Sequence, residues 1–197
     1  MELGFRMHAE RTPNPNSIKW VLGQTVADIV SSASFASEGP DPSGGGGSKC
    51  VTRTISPLAA PILEIAGVEG VFLGPTFITV TKEEGSEWTD LAAPIVAAIK
   101  AWAATGEPAL GPDFELPEHA DDDAVVAQIR VILERDVRPF VEQDGGEISF
   151  AGYRDGVVEV ILQGACAGCP SSSITLKMGI EARLKEEIPE VKSVVAL

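Results

Sequence analysis

Between residues 105 and 123 the chain carries Pro108, Pro112, Pro117, Gly106 and Gly111, together with seven acidic side chains and no Lys or Arg. The acids are Glu107, Asp113, Glu115, Glu118, Asp121, Asp122 and Asp123. Proline removes backbone donors, glycine gains little from regular structure, and like charges repel, so neither a helix nor a strand is expected to run through this stretch. A chain of 197 residues has room for one large domain or two small ones, and an interruption of this kind selects two. The division expected is a first unit over residues 1–104, an acidic flexible linker over 105–121, and a second unit over 122–197. The bland reading of the acidic run is a solvated linker; a docking strip for a basic partner is the lesser one.

The first unit opens on an expected strand, Phe5 to Arg11. Thr12-Pro13-Asn14-Pro15-Asn16-Ser17 follows as a dense run of turn formers, and Ile18 to Leu22 reads as a second strand. Residues 31–48 are rich in Ser and Gly, with four glycines in a row at 44–47, and read as a flexible loop. The run lacks the GxxxxGK[ST] pattern of a phosphate cradle. Ser56-Pro57 supplies a cap and a first-turn proline for a helix ending near Gly67. Val68 to Leu73 and Phe77 to Thr81 read as strands joined by a tight turn at Gly74-Pro75-Thr76. Thr89-Asp90 should cap a helix with Leu91, Ile95, Val96, Ile99 and Trp102 on one face.

In the second unit, Val125, Val126, Ile129, Ile132, Leu133 and Val137 form a helical stripe that Arg138-Pro139 should end or kink. Asp144-Gly145-Gly146 is a turn. Alternating apolar residues on either side of Arg154-Asp155-Gly156 signal a hairpin. Leu176, Ile180, Leu184 and Ile188 repeat every four residues as an amphipathic helix broken near Pro189, and Val191 to Val195 closes as a strand. The fold class expected is α/β in the α+β sense, with each unit a small mixed sheet packed with helices.

Composition narrows function. A formal charge of −14 disfavours nucleic acid and anionic membrane surfaces, both of which need Lys and Arg. No apolar run reaches the roughly 20 residues that span a bilayer. The start, Met1-Glu2-Leu3-Gly4-Phe5, has neither the basic nor the apolar region of a secretory signal, and no Arg- and Ser-rich transit peptide is seen. Three cysteines make an odd count without a disulfide framework, which fits a reducing cytoplasm.

Cys166-Ala167-Gly168-Cys169 places two of those cysteines three positions apart, directly before Pro170-Ser171-Ser172-Ser173. Pro170 suits the first position of a helix, so both sulfurs should approach the positive end of a helix dipole, where the thiolate is favoured and accessible. A thiolate pair can bind metal or exchange with a disulfide. Structural zinc needs four ligands; His8 and His119 are distant in sequence and Cys50 falls in the glycine-rich loop, so a two-chain site is the simplest to build. A dithiol redox site is the other alternative, although a thioredoxin-like enzyme would carry its pair near the start of the fold. An iron–sulfur cluster, held by four thiolates, would be completed by two copies of Cys166 and Cys169 across a homodimer. Spacing alone ranks cluster and zinc close together and favours a shared site over a catalytic one. Two histidines are too few for a conventional acid–base enzyme, and no enzymatic activity is expected.

These residues resemble the Nfu (NifU-like) iron–sulfur carrier proteins. Val137-Arg138-Pro139, Asp144-Gly145-Gly146 and Gly164-Ala165-Cys166-Ala167-Gly168-Cys169-Pro170-Ser171-Ser172 are similar to the family's C-terminal domain. Thr12-Pro13-Asn14-Pro15-Asn16-Ser17, Ser56-Pro57-Leu58 and Gly70 to Val80 are similar to its N-terminal domain. The resemblance implies a [4Fe–4S] cluster bridging two protomers, with Cys166 and Cys169 as ligands, and transfer of that cluster to apo iron–sulfur client proteins after receipt from an upstream assembly scaffold. It implies a homodimer when loaded, and partner recognition by the first unit. The glycine-rich insertion with Cys50 departs from the pattern, and no ligand role attaches to it.

Overall fold

The computed structural model describes residues 6–23, 33–36, 51–114, 124–166 and 170–197. Phe5, most of the glycine-rich loop with Cys50, His119, Asp121 to Asp123 and Cys169 lie outside the described residues.

The first unit is a five-stranded sheet in the order β1-β2-β5-β4-β3. Its strands are β1 (Met7–Arg11), β2 (Ser17–Leu22), β3 (Ala33–Ala36), β4 (Val68–Leu73) and β5 (Phe77–Lys82). Alternation in β2, β4 and β5 sends Trp20, Leu22, Val71, Leu73, Ile78 and Val80 to one face, against which α1 (Ala59–Leu63) and α2 (Trp88–Thr105) pack with Ile62, Leu91, Ile95, Ile99 and Trp102. The Ser56 hydroxyl accepts from the Ala59 amide at 2.9 Å, closing the turn that leads into α1, although Leu58 rather than Ser56 holds the cap position. The longer helix begins one residue before the expected Thr89-Asp90 cap and ends at Gly106, whose φ of +71° is the left-handed C-terminal stop that glycine favours.

Three expectations change here. All four strand pairings of this sheet are antiparallel, so it is not mixed; even the long connection from β3 to β4, which carries α1, returns its strand antiparallel. Within the Ser- and Gly-rich stretch, Ala33–Ala36 is a strand that pairs with Val71 and its neighbours. Of the acidic stretch, the part up to Phe114 is held on the first unit: Ser56 Oγ donates to the Ala109 carbonyl at 2.7 Å and the Gly111 amide donates to the Ile55 carbonyl at 2.8 Å. Ala109 is fully buried, and a Cβ at residue 111 would stand 2.1 Å from the Thr54 oxygen, so only glycine admits this approach.

The second unit has a three-stranded sheet, β6 (Gly146–Arg154), β7 (Val157–Gly164) and β8 (Ser193–Ala196), in the order β6-β7-β8. This sheet is mixed as expected. The β6–β7 hairpin turns through Asp155 at φ +53° and Gly156 at φ +87°, the left-handed pair that matches strand twist. β8 runs parallel to β7 and is reached through α5 (Pro170–Glu187). Ile129, Ile132, Leu133, Val137 and Val141 from α3 (Ala124–Ile132), the following turn and α4 (Arg138–Gln143) meet Ile148, Val158, Val160, Ile180, Leu184 and Ile188 in one core. Pro139 does not end the helix. A ring at that position collides with the carbonyl four residues back, and the wide π turn Leu133–Val137 makes room for it.

Candidate functional site at the cysteine loop

β7 ends at Gly164, and Ala165 and Cys166 follow in a turn, with α5 beginning at Pro170. In the β6–β7 ladder Gly146 stands opposite Gly164, so the Gly145-Gly146 turn and the Gly164-Ala165-Cys166 loop are adjacent. The Ala165 amide donates to the Gly145 carbonyl at 3.1 Å. A Cβ on residue 146 would fall 2.5 Å from Cys166 Sγ, and one on residue 164 would fall 2.6 Å from the Gly145 oxygen. Gly145 and Gly164 also have φ of +76° and +64°. The glycines therefore let the two loops touch, and the sulfur takes the space of an absent side chain.

Cys166 is buried, at 7% exposure, and joins the second core. The expectation of an accessible thiol is corrected on this point: close packing against Gly146 covers the sulfur. Pro170 opens α5, as expected. Cys169, the second candidate ligand, lies outside the described residues, as do Cys50 and His119. His8 is exposed in β1 and pairs with Glu10 at 3.0 Å. Among the described residues, no group of three or more His, Cys, Asp or Glu is arranged to hold a metal ion.

Glu147 follows the glycine turn and is almost fully buried, at 2% exposure. Arg138 reaches it at 2.5 Å and also holds Glu134 at 2.7 Å. The Arg-Pro pair and the acid after Gly146 are thus two halves of one ion pair that ties α4 to β6 beside the cysteine. Sequence reading singled out Arg138 but passed over Glu147. An acid placed inside an apolar strand, right after a glycine turn, was the available signal.

The first unit contributes as well. Lys19, Thr79 and Phe72 stand side by side across β2, β5 and β4, on the face of the sheet opposite its helices. Lys19 Nζ donates to the carbonyls of Glu142 at 2.8 Å and Gln143 at 3.2 Å, the last turn of α4. It also lies 4.7 Å from the centre of the Phe77 ring and 3.6 Å from Glu10. Thr79 Oγ1 donates to the Gly145 carbonyl at 2.6 Å. Phe72 Cδ1 would be 3.1 Å from a Cβ on residue 164. Phe72, Phe77 and Thr79 fall in the Gly70 to Val80 segment that resembles the family, but the sequence attached no individual role to them or to Lys19.

Fold and site together define a two-unit α+β protein with a buried cysteine, Cys166, in the turn that follows β7. Two family profiles match: "NifU-like domain" over residues 129–195 and "Scaffold protein Nfu/NifU N terminal" over residues 7–106. The chain belongs to the Nfu family of iron–sulfur cluster scaffold proteins. Among its relatives, the protein named NFU1 iron-sulfur cluster scaffold homolog, mitochondrial, of Drosophila sechellia is 39% identical over 95% of this chain and 63% of its own length. The human protein of the same name is 40% identical over 95% of this chain and 70% of its own length. The chain thus spans less than two thirds of the fly relative. A solved NifU-like protein from Saccharomyces cerevisiae is 20% identical, with a TM-score of 0.45 over 55% of this chain and 87% of that one.

The relatives overturn the expectation of a cytoplasmic protein, since their names place them in mitochondria. Thiol usage separates oxidising from reducing surroundings and cannot distinguish one reducing compartment from another. Among the described residues, no helix is long and apolar enough to cross a membrane.

Proposed function

We propose that this chain carries a [4Fe–4S] cluster between two protomers, each supplying Cys166 and Cys169, and passes it to apo-proteins without catalysing bond chemistry of its own. The observation that carries this reading is the Cys166 loop, where a sulfur packed on Gly146 stands directly ahead of a helix that starts at Pro170. Thiolates are the ligands such clusters take, and membership of a scaffold family supports iron–sulfur cargo over zinc. Two ligands per chain leave each protomer few anchors. Incoming thiolates from an acceptor can then replace them one at a time, by the same logic as thiol exchange at a disulfide. The cargo would come from an upstream assembly scaffold, and the setting is mitochondrial in kind, like that of the named relatives.

Anaerobic reconstitution with iron and sulfide tests this. Four iron per dimer, a broad visible band, and loss of both in Cys166→Ser or Cys169→Ser are expected. A colourless protein with stoichiometric zinc would overturn it, as would metal-free reduction of a disulfide substrate.

A further inference from the structure

An antiparallel sheet packed on one side by helices ordinarily shows its other side to water. In the first unit the middle of that other side is dry: Thr79 is fully buried, and Phe72, Phe77 and Lys19 are exposed by 1%, 3% and 9%. A lysine is rarely buried without partners. Here its partners are main-chain oxygens more than a hundred residues away, at the end of α4. The Gly145 carbonyl is the junction. It accepts the Thr79 hydroxyl from the first unit and the amide of Ala165, the residue before Cys166. Gly145 itself is hemmed in by Thr12, Thr79 and Lys19, each within 3.2 Å of where its Cβ would stand.

We propose that the Lys19–Thr79–Phe72 row is a docking face for the 142–145 turn and Gly164 of the second unit, and that docking latches Cys166 closed. On this view the first unit regulates the same site assigned above, and so the inference rests on that reading for its purpose. A buried sulfur cannot reach a cluster shared with another chain. Loading therefore requires Gly146 to move off the sulfur, and Lys19 and Thr79 hold the adjoining 142–145 turn in the place where it covers Cys166; once they let go, that turn is free to swing away from Ala165 and Cys166. Release of the latch also uncovers Phe72 and Phe77, an apolar patch with a cation at its edge. Glu10, beside Lys19 in the docked state, is the acid that faces the ammonium when the carbonyls leave.

The test measures the rate at which a disulfide reagent modifies Cys166 in the full chain, with Cys50→Ser and Cys169→Ser making it the single thiol. Lys19→Met should raise that rate roughly tenfold, and Thr79→Val a few-fold, from loss of a charged and a neutral hydrogen bond respectively. All three tryptophans, Trp20, Trp88 and Trp102, lie in the first unit, so their emission reports whether a substituted first unit is still folded. Should Lys19→Met shift that emission, Thr79→Val decides the matter, being close in shape to the native residue. Unchanged rates in folded variants, with unchanged amide exchange at Ala165, would overturn the latch. A rate increase that requires high protein concentration would also overturn it, by showing that the face serves a second copy. The assay uses no iron. A chain that opens faster yet takes up no cluster keeps the latch and loses the proposed function; one that loads a cluster with unaltered rates does the reverse.

Discussion

The sulfur of Cys166 occupies the place where a side chain on Gly146 would begin, with 2.5 Å between Sγ and that position. Gly146 lies in extended backbone, so the constraint is steric crowding alone. Gly146→Ala must push the sulfur or the β7 strand away and should cost about 1–3 kcal/mol, as overpacking does. Denaturant unfolding measures that loss. Iron bound per chain after reconstitution should fall in parallel, since the displaced atom is a proposed ligand.

The Arg138–Glu147 pair gives a second expectation. Arg138→Ala takes a guanidinium away from a carboxylate buried in β6, and should destabilise by about 2–4 kcal/mol, somewhat below a fully buried pair because the arginine is partly solvated. Combining Arg138→Met with Glu147→Leu removes both charges and should recover most of that loss. A double-mutant cycle by chemical denaturation separates the two outcomes; equal loss in single and double variants would argue that packing rather than charge matters here.

Ser56 is fully buried and joins three segments, accepting from Ala59 and donating to Ala109. Ser56→Ala orphans the Ala109 carbonyl and the Ala59 amide, and should cost about 1–3 kcal/mol. Limited proteolysis should then cut first between residues 107 and 114, where the chain has lost its tether.

Asp136 supplies a pH test. Hydrogen bonds from Arg135 first, then Arg183, hold its carboxyl below the ordinary 3.8, at about 2. A lowered folded-state value means stability that is complete above the unfolded value and lost as pH falls through the folded one. The contribution should therefore disappear between about pH 4 and pH 2. Asp136→Asn should lack that slope, and salt should flatten it in the parent because the cluster lies at the surface. Thermal melts across this window provide the check.

Where period and turn chemistry are local, the sequence revealed the structure. β2, β4 and β5 alternate, Asp155-Gly156 announces a hairpin, and Pro170 starts a helix. β3 was hidden because Ala33-Ser34-Phe35-Ala36 is short, lies at an edge and sits among serines and glycines that read as a loop. The π turn before Pro139 was hidden because the helix continues through it, a choice made by packing rather than by propensity. At the site, the glycines and Cys166 were legible but their mutual contact was not, since a missing Cβ shows its purpose only when another strand arrives. Lys19 was the hardest case. In Ile18-Lys19-Trp20 it looks like a solvent-facing charge on an amphipathic strand, and only a contact 123 residues away buries it.

Across the boundary between the units, the hydrogen bonds of Lys19 and Thr79 go to main-chain oxygens, those of Glu142, Gln143 and Gly145. Such an interface is blind to most side chains on one of its sides. The identities of residues 142 to 144 can drift without weakening the grip, while positions 19, 79 and 145 tolerate almost nothing. Mutational tolerance across the boundary between the two units is therefore lopsided, and the half that carries the cysteines is free to adapt its surface to new partners without renegotiating its hold on the other.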